Sequence, residues 1–531
     1  MKITSISIHN HSRISDCTLD VRSNLILVGA NGSGKSSVIR CIDLVLGETT
    51  QQLYRSIDSS DFEDETLPFV IEVKLGMLST DELTFFPDEY DVSDKSLTVR
   101  LEAMLDDEDL TIRRYFPKGV DGNNLGYDKL KHIGWGMVPS DFSTTQLEPS
   151  RKTIVDDYLK EVDASGDESK LAEAIKSLSD AIDGSDAFNE ALSTLANQLD
   201  PVLDGGVSAN QLHFVPEAAI NGDLLNNVRL QIDDRSGAAR EATEQSDGTK
   251  ALIAFSIFNL LNSGGIIAID EPETHLHPLA QRNLMRILKK TGRQLVIATH
   301  SAVIAGEFDP ENIAVTHEGL PPVQPKPGFL AGQEDEKILA SWWISNRIEV
   351  LTAKGIIAVE GPSDRMVLKR VAEMTGRVLE RDGIEILEAD GCNNMRNVLR
   401  IFGEEGFGLR VSILIDEDAE VELANALDVK VQDLSSKSVF VSRKDLEAEY
   451  IAAIGPDELW KALGESSLFT PNMLKNCVIS DGSGTPSEDK LAEFCRHKKR
   501  KTSCAIVACR LMDKASAPRV SSIVGVLQNA V

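Results

Sequence analysis

The sequence predicts an α/β protein of two domains, each presenting strands that run out into acidic residues. Three observations predict it. GANGSGKSS at 29–37 is a glycine-rich loop set between an apolar run and a helical one. IIAIDEPET at 266–274 reads as a buried strand that exits into carboxylates. VSILIDEDAE at 411–420 repeats that pattern beyond a Pro/Gly-rich stretch. At 531 residues the chain is too long for a single core, and an apolar content of 42% suffices for more than one.

The elements follow in order. The first 120 residues alternate short strand-like runs (KITSISI, NLILVGA, FVIEVKL, LTVRLEA, LTIRRYF) with one helix after residue 34. Over about 145–205 the texture changes. SKLAEAIKSLSDAI and FNEALSTLANQLDPVL carry apolar residues at three-and-four spacing, which predicts a helical insertion and a candidate dimerisation arm. Strands resume at IIAID and QLVIATH. EGLPPVQPKPGFLAGQ at 318–333 reads as a linker, dividing a domain over 1–335 from one over 336–531. The second domain opens on the strand GIIAVEG at 355–361.

Composition narrows the function classes. No stretch approaches the roughly 18–20 uninterrupted apolar residues of a membrane helix. MKITSISIHN alternates like a strand and lacks the apolar core of a signal peptide, so a cytoplasmic protein with no membrane partner is expected. The seven cysteines form no CxxC pair and read as reduced structural thiols. A net charge of −29 argues against wholesale coating of nucleic acid. RHKKRK at 496–501 is nevertheless a local basic run able to contact DNA phosphates.

The glycine-rich loop fits G-x-x-x-x-G-K-[ST] in full, in the strand–loop–helix context that phosphate binding requires. Backbone N–H groups of Asn31, Gly32, Ser33 and Gly34 can crowd around phosphates, at a helix start whose dipole favours anions. Lys35 would neutralise β/γ-phosphate charge; Ser36 would ligate Mg²⁺, with Ser37 beside it. Asp270 ends the strand at 266–270 on the Mg²⁺ side, and Glu271 is placed to polarise an attacking water. His300 ends QLVIATH and is a candidate sensor of the γ-phosphate. ATP with Mg²⁺ is therefore the expected cofactor.

DEPETHLHP and ATHS resemble the Walker B, D-loop and switch-histidine segments of ABC-type ATPases related to DNA-repair and chromosome-maintenance proteins. The N-terminal stretch through GANGSGKSSVIRCIDLVLG resembles their opening lobe. The resemblance implies an ABC-type ATPase head in which EQSDGTKALIAFSI at 244–257 is a loose signature sequence, with Ser246 and Gly248 among its core residues. It further implies nucleotide held between the P-loop of one subunit and the signature helix of another, hence a homodimer or higher homo-oligomer. Gln51 and Gln52 are candidates for the Q-loop.

The second domain has no P-loop. Glu360 and Gly361 close its first strand, and Asp364 follows four residues later at a helix start, so the two carboxylates can approach one another. Asp416 and Asp418, two apart at a strand exit, point to one side and suit hard divalent ions. A strand ending in E-G, a glycine-containing turn (EADGCNNM) and a strand ending in D-x-D together resemble the TOPRIM fold, a Rossmann-like α/β domain. An ABC-type ATPase followed by TOPRIM resembles the OLD-family (overcoming lysogenisation defect) nucleases, including Gabija-type and retron-associated members.

That resemblance implies a metal site of Glu360, Asp364, Asp416, Asp418 and a later acid. Glu447 is the choice for the last, with Glu449 and Asp481 as alternatives. It implies a catalytic lysine at Lys501, with Lys498 and Lys499 close by. Mg²⁺, Mn²⁺ or Ca²⁺ would occupy the nuclease site. The implied function is an ATP-regulated DNA endonuclease or nickase in anti-phage defence, with a neighbouring defence protein or retron RNA/DNA as a further partner. The alternative is an ATP-driven DNA-binding or repair clamp whose TOPRIM-like domain does not cut.

Overall fold

The computed structural model describes the chain apart from residues 107–108, 119–124, 141, 143–152, 162–167, 200–208, 212–229, 234–238, 263, 330–346, 476, 478–485 and 531. The chain gathers into two compact units. One comprises Met1–Met137, Gly265–Pro272 and Gly292–Val531; the other comprises Val138–Gly264 and Glu273–Thr291.

The first unit opens on an antiparallel sheet of β1 (Lys2–His9), β2 (Cys17–Asp20), β4 (Phe69–Gly76), β5 (Tyr90–Asp91), β6 (Ser96–Asp106) and β7 (Asp109–Tyr115). The alternation read in the sequence is its cause: Ile6 and Ile8 of β1 are buried while Ser7 lies between them on the outer face. A second sheet has the order β13 (Ile313–Val315), β3 (Leu25–Val28), β12 (Gln294–Thr299), β11 (Ile266–Asp270) and β8 (Trp135–Val138). Its β13–β3, β3–β12 and β12–β11 pairs are parallel. β3, β11 and β12 are buried along their whole length, which is why they read as continuous apolar runs. Gln294, at the start of β12, is fully buried and stitches the two sheets. Its amide accepts from the Ile3 N–H at 2.7 Å and donates to the Ile3 carbonyl at 2.8 Å.

Further along the same unit lies a four-stranded parallel sheet. Its order is β15 (Ile384–Glu388), β14 (Gly355–Val359), β16 (Arg410–Asp416) and β17 (Val439–Ser442). From β14 the chain crosses first to one side and then to the other. The carboxyl ends of β14 and β16 therefore flank a topological switch point, where open α/β sheets place their ligands.

The other unit holds helices Ile154–Glu161, Glu168–Asp183 and Asp186–Leu199, the hairpin β9 (Gln231–Asp233) with β10 (Ala239–Glu241), and helices Asp247–Leu261 and Pro278–Lys290. The three-and-four spacing predicted over 169–199 thus forms helices. Leu178 and Phe188 on them are about half exposed.

The described part of the 318–333 stretch does not hang free. Val323 bridges Val315, Gln324 pairs with both backbone groups of Asp20, and the Arg22 guanidinium donates to the Pro325 carbonyl at 2.8 Å. The expected boundary at 335/336 lies outside the described residues. Among the described residues no helix is long and apolar enough to cross a membrane.

Candidate functional site

The P-loop leaves β3 and turns through Gly32 (φ +79°) and Gly34 (φ +93°), left-handed conformations that favour glycine. Gly34 precedes the helix Lys35–Leu46. Gly29 needs its missing side chain for another reason. A Cβ there would lie 2.4 Å from the carbonyl oxygen of Thr316, just past β13. Thr316 also hydrogen-bonds Ser33 Oγ at 2.6 Å, bracing the loop from behind. Sequence reasoning missed Thr316. It lies 283 residues from Ser33, and nothing in the sequence marks it.

The Lys35 ammonium is buried and donates to the carbonyls of Gly29 (2.9 Å) and Ala30 (2.8 Å). Ser36 Oγ donates to Asp270 Oδ1 at 2.9 Å, which brings the two expected Mg²⁺-side residues together. Glu271 follows in a left-handed conformation (φ +49°), held by its N–H bond to the Ala298 carbonyl at 2.9 Å. That conformation is uncommon for a non-glycine residue and re-aims the side chain as the chain leaves the strand. His300 is exposed one residue beyond β12. Asn31 and Gly32 are exposed at the loop tip, and Ser37 is half-buried in the first helical turn. All of these residues stand at the carboxyl edge of one parallel sheet.

Ser246 and Gly248 belong to the other unit. Ser246 caps the helix Asp247–Leu261 by accepting from the Thr249 N–H, and Gly248 lies close against the His275 carbonyl. Of the Q-loop candidates, Gln52 is occupied locally in a capping box with Thr49 and Gln51 is exposed.

At the switch point of the second parallel sheet, five side chains from separate elements converge. Glu360 leaves β14, and its Oε1 faces the Asp416 N–H at 3.4 Å. Asp364 lies in the first turn of the helix Pro362–Met374, buried, with Oδ2 accepting from the Gly361 N–H at 3.0 Å. Asp416 ends β16. Glu447 sits in the first turn of the helix Leu446–Ile454 and is 1% exposed. Lys501 begins the helix Lys501–Leu511, and its Nζ lies 3.3 Å from Asp364, 3.6 Å from Glu447 and 3.9 Å from Asp416. Lys498 and Lys499 are exposed before it.

Two alternatives left open by the sequence separate here. Glu449, two residues beyond Glu447, faces elsewhere: it accepts from the Arg443 N–H at 3.0 Å and from Ser522 Oγ at 2.8 Å. Asp481 lies outside the described residues. Asp418 departs from the strand-exit expectation. β16 stops at Asp416 and Glu417–Ala419 forms a single 3₁₀ turn, so the period-two alternation ends before Asp418, which is exposed. It remains near enough to raise the pKa of Glu360.

Burial dominates the electrostatics. It pushes both Asp416 and Glu447 up to about 7, with Lys501 opposing, and raises Glu360 as well. Burial would lower Lys501, but Asp364, Glu447 and Asp416 outweigh it and hold the ammonium above the usual lysine range. As they stand, no three His, Cys, Asp or Glu side chains among the described residues close on a single point; the lysine lies among the acids instead. The donor set still suits a hard divalent cation. It is all oxygen, four carboxylates face one ammonium, and Glu447 Oε2 is buried with no hydrogen-bond partner.

Models of known protein families match separate stretches of the chain. An AAA ATPase domain model matches 1–119, and a second AAA domain model, whose description reads AbiEii toxin, Type IV TA system, matches 138–305. The model for the overcoming lysogenization defect protein-like TOPRIM domain matches 351–418. The chain is 21% identical over 486 residues to the Old nuclease of Escherichia phage P2, covering 82% of this chain and 80% of that one. It is 26% identical over 319 residues to the OLD nuclease of Thermus scotoductus, covering 56% and 59%. It is 27% identical over 166 residues to the Retron Ec83 probable ATPase of Escherichia coli, covering 27% and 29%. The chain thus joins an ATPase domain to a TOPRIM domain. In that pairing the chain resembles the OLD nucleases.

Proposed function

We propose that this protein is an ATP-regulated, divalent-metal-dependent DNA endonuclease or nickase acting in anti-phage defence. One observation carries the reading: Lys501 stands among Asp364, Asp416 and Glu447 at the switch point of a parallel sheet. Glu360, Asp364, Asp416, Glu447 and, at the rim, Asp418 would hold the cation. Bound there, it would supply Lewis-acid charge and acidify a water nucleophile. Lys501 donates from its ammonium to the non-bridging phosphate oxygens, where negative charge grows as the P–O bond breaks. Lys498 and Lys499 hold the neighbouring DNA phosphates and offset the acidic balance of the chain.

In the ATPase domain, Lys35 exchanges its loop carbonyls for β/γ-phosphate oxygens. Ser36 and Asp270 would hold Mg²⁺, Glu271 would orient water and His300 would face the γ-phosphate. Ser246 and Gly248 of a second subunit complete the nucleotide site in a homodimer. The helices of 154–199 supply further dimer contact, for which the half-exposed Leu178 and Phe188 are suited.

Plasmid cleavage measured across Mg²⁺, Mn²⁺ and Ca²⁺, with and without ATP, tests the reading on wild type, Lys35→Ala and Asp416→Ala. Cutting that requires Asp416 supports it. Intact cutting by Asp416→Ala would sink the site. DNA-stimulated ATP hydrolysis without cutting under any metal would favour a non-cleaving clamp.

A further inference from the structure

Glu417, the middle acid of DED, has no place in the carboxylate cluster, yet the structure gives it two partners. Its Oε2 accepts from the backbone N–H of Lys444 at 2.8 Å, and its Oε1 lies 3.7 Å from the Arg443 guanidinium. Two residues further on, the N–H of Leu446 donates to Asp416 Oδ1 at 2.9 Å. Adjacent acids of the β16 exit therefore grip alternate N–H groups of one turn, and that turn launches the helix carrying Glu447.

The turn needs a grip. Only Arg443, Lys444 and Asp445 connect β17 to the helix Leu446–Ile454, and Lys444 adopts the left-handed region at φ +62°, which a lysine rarely takes. Other anchors hold its flanks: Asp445 caps the helix through the Ala448 N–H at 2.7 Å and pairs with Arg496, and Lys444 Nζ reaches Asp489 at 2.9 Å. Glu417 alone among these side chains accepts from the backbone at the left-handed residue itself. Each anchor leads to an element around the site, but Glu417 ties the turn to the segment that carries Asp416.

We infer that Glu417 is a positioning residue: by holding the Lys444 N–H it sets the start of the helix Leu446–Ile454 and so aims Glu447 at Asp416, fixing the geometry in which the two acids share a divalent cation. The inference rests on the metal-binding reading above. Outer groups that orient metal-holding side chains are worth about 10–100-fold in affinity.

The test measures Mn²⁺ binding by isothermal calorimetry and by the metal-induced rise in Tm, on full-length wild type, Glu447→Ala, Glu417→Ala and Glu417→Gln. Glutamine keeps a carbonyl acceptor for the Lys444 N–H but removes the charge. The expected order is wild type and Glu417→Gln alike, with Glu417→Ala weaker by about tenfold. Equal weakening in Ala and Gln would mean Glu417 acts only through charge and would overturn the inference; so would wild-type affinity in Glu417→Ala. Glu417 is exposed, so the variants should fold, which the metal-free Tm checks. If wild type and Glu447→Ala bind Mn²⁺ equally, the metal-site reading fails first, separately from the role of Glu417.

Discussion

The Lys501 ammonium lies 3.6 Å from Glu447 Oε1, while the other oxygen of that carboxylate is buried without a partner. One cation is thus shared among more acid than it can neutralise. Burying unpaired carboxylates is costly, and here the cost falls where a divalent cation would relieve it.

Replacing Lys501 by Ala should separate binding from turnover. Removing the ammonium deepens the negative potential of the acid cluster, so Mn²⁺ affinity measured by calorimetry should rise. Charge developing on the phosphate would lose its donor, and plasmid cutting should fall by about 10²–10³-fold. Loss of metal binding and of cutting together would instead make Lys501 a purely structural residue.

The acid cluster should make metal binding steeply pH-dependent. Asp416 and Glu447 are both raised to about 7 by burial. For carboxyls raised on folding, the stability they contribute is full below their unfolded pKa and is lost as pH climbs through about 7. A divalent cation needs the deprotonated forms, so it restores stability only above that range. The Mn²⁺-induced gain in Tm should therefore be clearly larger at pH 8 than at pH 6. With each such carboxyl about nine-tenths protonated at pH 6, affinity there should be at least about tenfold weaker. A gain in Tm independent of pH would count against these two residues as metal holders.

Gly29→Ala should damage the P-loop from behind. The new methyl would meet the Thr316 carbonyl oxygen and Ser33 Oγ well inside van der Waals contact. Displacement of the loop should cost about 1–3 kcal/mol and weaken ATP binding. Differential scanning calorimetry and nucleotide titration measure both, and the Mn²⁺ affinity of the acid cluster should stay unchanged.

Glu271→Gln should trap the nucleotide-bound assembly. The amide cannot take a proton from water but keeps the shape of the side chain, so hydrolysis should fall by at least about 10²-fold while ATP still binds. Sedimentation velocity with ATP should then show a longer-lived dimer than wild type. A monomer under saturating ATP would refute nucleotide sharing between subunits.

Much of this was legible because the signals are local. The P-loop is contiguous, and its glycines and lysine are required within nine residues by the size of a phosphate. The fully buried strands announce themselves as apolar runs, and the acids that follow them mark the edge where a parallel sheet exposes its carboxyl ends. Glu360, Asp364, Asp416, Glu447 and Lys501 are all expected by resemblance from such fragments, although the choice of Glu447 over Glu449 stays open in the sequence.

That choice belonged to tertiary structure. Glu447 and Glu449 share one helical turn, and only the packing of that helix sends the first toward Lys501 and the second toward Ser522. Period-two alternation placed Asp418 beside Asp416, but a 3₁₀ turn intervenes at Glu417–Ala419, and within it Glu417 accepts from the Lys444 N–H. Thr316 behind the P-loop carries no motif at all, and Glu417 is only the unspecified middle position of D-x-D. By itself the sequence determined which strands are buried and where their acids emerge, since periodicity and loop chemistry act over a few residues. Which acid faces which cation was decided only when distant segments packed, since a contact across hundreds of residues leaves no trace in local pattern.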